Sequence, residues 1–201
     1  MLRPNLAQDA PPSALTVGGA EFDINVDFRV WIGVLHDLRD MFPTPDDVEQ
    51  AMHNVEIIQK IEMDVFGRIL PVPAPEVLHA ITEFSMGYPE APVQPGNGAP
   101  TYSFDWDINY IVIAIQNQFG IDLSYQREEP FHWWLFLLYF RALSGSHYIL
   151  RLMEIRGYNG KDSEMKRQAQ RFALPMEMTM EDQAMLDAFN AMMDPNDDEE
   201  V

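Results

Sequence analysis

Ten residues, from Phe131 to Phe140, form an apolar run broken only by His132, and they constrain the possible folds more than any other feature. Arg141 follows at once, so the run falls short of the ~20 apolar residues that span a bilayer. A segment that is apolar nearly all round must be wrapped by other elements, which makes it the expected central helix. Pro130 suits its first position and Gly145 its end.

The wrapping elements are legible as helical stripes. Phe28, Trp31, Ile32, Leu35, Leu38 and Phe42 recur at helical spacing, with Arg29, His36, Asp37 and Asp40 on the other side. Asn25 or Asp27 can cap this helix, and Pro43 and Pro45 end it. Asp46 and Asp47 open a second helix striped by Val48, Met52, Val55, Ile58, Ile61 and Val65. A shorter one from about Pro75 carries Val77, Leu78, Ile81 and Phe84. Trp106 to Phe119 is read as helix, since no turn residue interrupts it before Gly120 and Asp105 can cap it. Two more, at roughly 146–156 and 161–172, carry basic residues.

Before the helices, Gly18 and Gly19 separate two short β-prone runs and suit a tight primed turn, which predicts a small hairpin. The expected fold class is therefore mainly α: a compact helical domain with a small N-terminal β-hairpin and a flexible acidic C-terminal tail. Residues 1–14 read as a disordered lead-in and 15–86 as hairpin plus helices. Residues 87–101, rich in proline and glycine, read as a linker or long loop. Residues 102–174 form the central helical part, in the same domain or a second subdomain, and 175–201 a Met-rich helix with an acidic tail. In that last segment Met185, Leu186, Phe189, Met192 and Met193 share one helical face, with Met178 upstream. Unbranched thioethers repack readily, so this face is the candidate partner-binding surface; the alternative is a last helix folded onto its own core.

Charge narrows the function. The chain has 13 basic and 32 acidic residues, a formal charge of −19, which argues against nucleic-acid binding. Residues 141–174 nevertheless hold seven basic groups against three acidic ones: Arg141, Arg151, Arg156, Lys161, Lys166, Arg167 and Arg171. Such a face is either solvated or receives an acidic face of another copy, which would favour a homo-oligomer. No signal peptide or membrane span is visible, so a soluble, intracellular protein is expected.

Catalytic signatures are missing. With no cysteine, disulfides, catalytic thiols and cysteine-based metal sites are excluded. There is no phosphate loop, dinucleotide turn, His-Glu-x-x-His or Gly-x-Ser-x-Gly motif. Asp105 with Asp107, and Glu128 with Glu129, are carboxylate clusters that a divalent ion could bridge, making a metal-dependent hydrolase with a histidine the competing enzyme reading. Negative charge in a helix's first turn is the simpler account. His132-Trp133-Trp134 reads as part of a buried helix whose histidine hydrogen-bonds a neighbouring segment, rather than as a stacking or catalytic site. No catalytic, cofactor-binding or metal-binding residue is assigned.

Several of these pieces occur in a specific order: Phe22-x-Ile24-Asn25-Val26-Asp27-Phe28-Arg29, then Tyr102-Ser103-Phe104-Asp105-Trp106-Asp107, Asn109-Tyr110-Ile111 and Gln118-Phe119-Gly120-Ile121-Asp122-Leu123. Phe131-His132-Trp133-Trp134, Arg141-Ala142-Leu143 and Ile155-Arg156-Gly157-Tyr158 complete it. Over about residues 15–174 the chain resembles the tailed-phage "gene product fifteen" family, whose genes sit where tail-assembly chaperones are found. Val26 stands where threonine is usual and Phe131 where leucine is usual.

The resemblance implies an α-helical, non-enzymatic protein without cofactors. By analogy it would coat the tape-measure protein, help tail-tube protein assemble around it in the host cytoplasm, and be absent from the mature virion. The alternative is a structural tail or head–tail connector subunit retained in the particle. Phe28, Trp31, Phe104, Trp106, Trp133 and Trp134 are the expected structural core motif.

Overall fold

The computed structural model describes residues 9–87, 100–124 and 129–175. These contain a hairpin, β1 (Ala14–Val17) and β2 (Ala20–Asp23), followed by seven helices. The helices are α1 (Phe28–Arg39), α2 (Val48–Phe66), α3 (Ala74–Ser85), α4 (Phe104–Phe119), α5 (Trp133–Arg141), α6 (Tyr148–Arg156) and α7 (Ser163–Arg171). The expected mainly α fold with its N-terminal hairpin is thus the one the chain adopts. Residues 1–8, most of the expected linker and residues 176–201 lie outside the described residues.

The hairpin forms because Gly18 and Gly19 take φ of +59° and +81°, the double positive pair that a two-residue primed turn requires. The turn holds Ala14 opposite Asp23 and Val17 opposite Ala20. Leu15 and Val17 then point inward, and β1 packs on α3. That contact gives the short ribbon the support it needs.

The central helix is α5. Trp133, Trp134 and Phe136 are at most 1% exposed. Phe28 of α1 stacks on Phe136 at 4.5 Å between ring centroids, and Phe104 of α4 meets Trp133 edge-on at 5.7 Å. Each buried indole needs an acceptor, and the C-terminal turn of α3 has carbonyls left over. Trp133 Nε1 donates to the Ser85 carbonyl and Trp134 Nε1 to that of Phe84, both at 2.9 Å. One core therefore draws residues from both sides of the 87–101 stretch.

The starts of α1 and α5 are joined by a short antiparallel bridge between Asp27 and His132. Phe28 N–H donates to the Phe131 carbonyl at 2.9 Å, and Trp133 N–H to that of Val26 at 2.7 Å. Asp27 caps α1 through Arg29 N–H at 3.0 Å, and its other carboxylate oxygen accepts Phe131 N–H at 3.0 Å. His132 caps α5 in the same manner: its Nδ1 accepts Trp134 N–H at 3.0 Å. That fixes the proton on Nε2, which donates to the Pro12 carbonyl at 2.9 Å. The expectation of a histidine tied to a neighbouring segment holds, and the segment is the extended lead-in to β1.

Several sequence expectations are corrected. Pro130 does not begin the central helix; Phe131 and His132 are spent on the bridge and α5 starts at Trp133. It also ends early, at Arg141, and Gly145 turns the loop beyond it. Ser103, not Asp105, is the N-cap of α4; the Asp107 carboxylate reaches back to Ser103 N–H at 3.0 Å. Helix α1 stops at Arg39, so Phe42 is not on it; Asn54 holds both backbone groups of Phe42, at 2.9 and 2.8 Å. Asp37, expected on the outer face, is buried and paired with Lys60.

The stripe on α2 is only half used: Ile61 and Val65 are buried, whereas Val48, Met52 and Val55 are exposed. Trp106 is likewise no core residue. It is 57% exposed, because Asp107 and Ile111 take the inward positions of α4.

Candidate functional site

A groove of about 920 Å³ lies between α1, the start of α4 and the end of α7. Ile32 and Leu35 of α1 line one wall, Tyr102 and Phe104 a second, and Ala169, Ala173 and Leu174 a third. This placement follows from the breadth of the α1 stripe. Phe28, Trp31 and Val34 saturate the core side, leaving Ile32 and Leu35 half-buried at its edge.

A buried ion pair sets the floor. Arg156, at the end of α6, meets Asp107 through two bonds, 2.6 Å from Nη1 to Oδ2 and 3.2 Å from Nη2 to Oδ1. The two side chains are 9% and 2% exposed. The same guanidinium donates to the Phe172 carbonyl at 2.7 Å and to the Thr101 carbonyl at 3.1 Å. One side chain thus ties α4, the segment before it and the end of α7 together, a task suited to a rigid planar fork. This matters most for α7, which has no buried residue of its own.

The lip is polar. Arg39 Nη2 lies 2.5 Å from Asp105 Oδ2 and also donates to His36 Nδ1 at 2.7 Å. Tyr102 carries the one phenol on the walls, and burial raises its pKa against the opposing pull of Arg141. The arrangement offers apolar walls and a hydrogen-bonding rim. It suits the side of an amphipathic segment, the helix-in-groove mode of recognition.

The carboxylates that suggested an ion bridge are separated by their cations: Asp107 faces Arg156 and Asp105 faces Arg39. Among the described residues no three His, Asp or Glu side chains cluster to hold a metal, and no helix is long and apolar enough to cross a membrane. Glu128 lies outside the described residues. Of the basic stretch, Arg156 is not a solvated cation, whereas Arg151, Lys161, Lys166, Arg167 and Arg171 are exposed.

The candidate partner face, Met178, Met185, Leu186, Phe189, Met192 and Met193, lies outside the described residues. Its attachment point does not: Pro175 lines the groove. The groove is not legible in the sequence as a site, since Ile32 and Leu35 read as part of the core stripe. An apolar stripe wider than one packing face was the signal available.

A family model described as Bacteriophage Gp15 protein matches residues 8–179. The chain belongs to the Bacteriophage Gp15 protein family. Neither a curated protein nor a solved structure matches it. Membership makes this a phage structural or morphogenesis protein. Much of the sequence that carried the Gp15 resemblance serves the core. Asn25 to Arg29 and Phe131 to Trp134 are the two halves of the bridge. Gln118 braces the loop between α5 and α6, accepting from Ser144 N–H at 2.9 Å and donating to the Ala142 carbonyl at 3.1 Å. Ile155 to Tyr158 contains the arginine beneath the groove.

Proposed function

We propose that this Gp15-family protein is a non-catalytic tail-assembly chaperone that seats an apolar helical stretch of the tape-measure protein in the α1/α4/α7 groove. The observation that carries this reading is the groove, open and apolar-walled, in a chain of a phage morphogenesis family. The family supplies the biological setting; the walls supply the chemistry of capture. A formal charge of −19 supports it further, because strong like charge keeps a complex that covers greasy segments from aggregating. The Met-rich segment continues from the groove's edge at Pro175 and adds a second adaptable apolar face to the same partner. The protein acts in the host cytoplasm while tails are being built, and leaves as tail-tube protein closes around the tape measure.

The test is a tagged copy expressed during infection. Affinity capture before lysis should return the tape-measure protein, and mass spectrometry of purified virions should find the chaperone depleted. A stoichiometric amount retained in virions would establish the structural-subunit reading instead.

A further inference from the structure

Two apolar helix faces lie outside the groove, and they match. At the start of α2, Val48, Met52 and Val55 are 75%, 60% and 50% exposed. On α4, Trp106, Tyr110 and Ile113 are 57%, 43% and 53% exposed. Both sets follow the i, i+4, i+7 spacing that places three side chains along one helix stripe. Tyr148 of α6 widens the second stripe, its ring meeting Tyr110 edge-on at 4.9 Å. Six large apolar side chains exposed on two helices, among the described residues, are unusual for a chain that meets no partner there.

Their surroundings carry opposite charge. Residues 46–56 hold four carboxylates and no lysine or arginine, and Glu49 and Glu56 are exposed beside the α2 stripe. Residues 148–171 hold five exposed lysines and arginines, Arg156 being paired with buried Asp107, against three carboxylates, and exposed Arg151 stands one turn from Tyr148. Each face therefore fits the other in spacing and in charge. Helix α2 packs on α1, whereas α4 packs on α5 and α6, so the two faces belong to separate parts of the framework.

We propose that the occupant of each face is a second copy of this chain, the acidic start of α2 in one copy docking on the α4/α6 aromatic face of the next. Because the two surfaces differ, the contact is heterologous and propagates into a ring or a helical string. The contact stands apart from whatever the groove holds.

Sedimentation of the full-length protein over a range of concentrations tests this, with Met52→Asp and Trp106→Asp as exposed, singly disabled faces. Wild type should grow in size with concentration. Each variant should stay monomeric, association falling by roughly tenfold or more. An equimolar mixture of the two variants should form a one-to-one dimer and nothing larger, since one intact pair of faces remains. Should either aspartate variant fail to fold, Glu56→Lys and Arg151→Glu serve instead: each weakens association alone, and both in one chain restore it. A wild type that is monomeric throughout, a single variant that still assembles fully, or a mixture that stays monomeric would overturn the proposal.

Discussion

Replacing Arg156 by methionine removes the fork beneath the groove while keeping much of its apolar stem. Asp107 is then left with its side chain 2% exposed and its counter-charge gone, and the Phe172 and Thr101 carbonyls each lose a donor. Breaking one side of such a pair costs about 3–5 kcal/mol, because the remaining charge stays desolvated. For a chain of this size about 4 kcal/mol lowers Tm by roughly 8–16 °C. Circular dichroism melts at neutral pH read this directly. Two companion measurements separate the pair from simple packing. Arg156→Lys keeps the charge but cannot span both carboxylate oxygens and two carbonyls, so it should recover only part of the loss. Hydrogen exchange in Ser163–Arg171 should accelerate more than in Trp133–Arg141, since α7 buries nothing of its own. A melt within about 2 °C of wild type, or exchange in α7 unchanged, would refute the view that this one side chain holds the groove's third wall.

At concentrations where the chain is monomeric, Trp106→Ser should leave stability within about 0.5 kcal/mol, as exposed substitutions do. Trp134→Phe removes one of the donors to the Phe84 carbonyl, which keeps Gly87 N–H, and leaves a void in the core; it should cost about 1–3 kcal/mol by urea titration. Gly18→Ala forces a Cβ 2.9 Å from Val72 Cγ1 at a φ of +59°, and a Tm lowered by a few degrees is expected. Burial lowers the His132 pKa, partly opposed by its bond to Pro12, so folding favours the neutral ring. Its contribution is therefore full above about pH 6.5 and declines as pH falls below that value. His132→Gln should flatten this part of the stability profile. Asp27 follows lower down: burial raises its pKa, but the bonds from Arg29 and Phe131 outweigh it and hold it low, so its contribution disappears as pH falls below about 3.8. Asp27→Asn should remove that acid limb.

Element existence was legible where period and punctuation agreed. The double glycine gave the hairpin, and the Phe28–Trp31–Leu35 stripe and the 131–140 run gave α1 and α5. What the residues alone did not show was where a stripe stops being core. The α2 stripe runs uninterrupted from Val48 to Val65, yet only its second half meets another element. Trp106 looked like core because tryptophan usually is, but an adjacent buried aspartate took the inward position. The bridge between Asp27 and His132 joins residues about a hundred positions apart, and no local pattern encodes it. The groove was hidden for the same reason, since its third wall depends on a long-range arginine contact.

The proposed seating of the tape-measure protein in the α1/α4/α7 groove is tested most directly by groove occupancy. Ala173 is exposed on a groove wall, so Ala173→Trp fills the cavity without disturbing the core. Titrating purified tape-measure segments against wild type, Ala173→Trp and the outer-face variant Met52→Asp should show binding weakened by roughly tenfold or more in Ala173→Trp alone. Equal affinity for all three proteins would contradict the account.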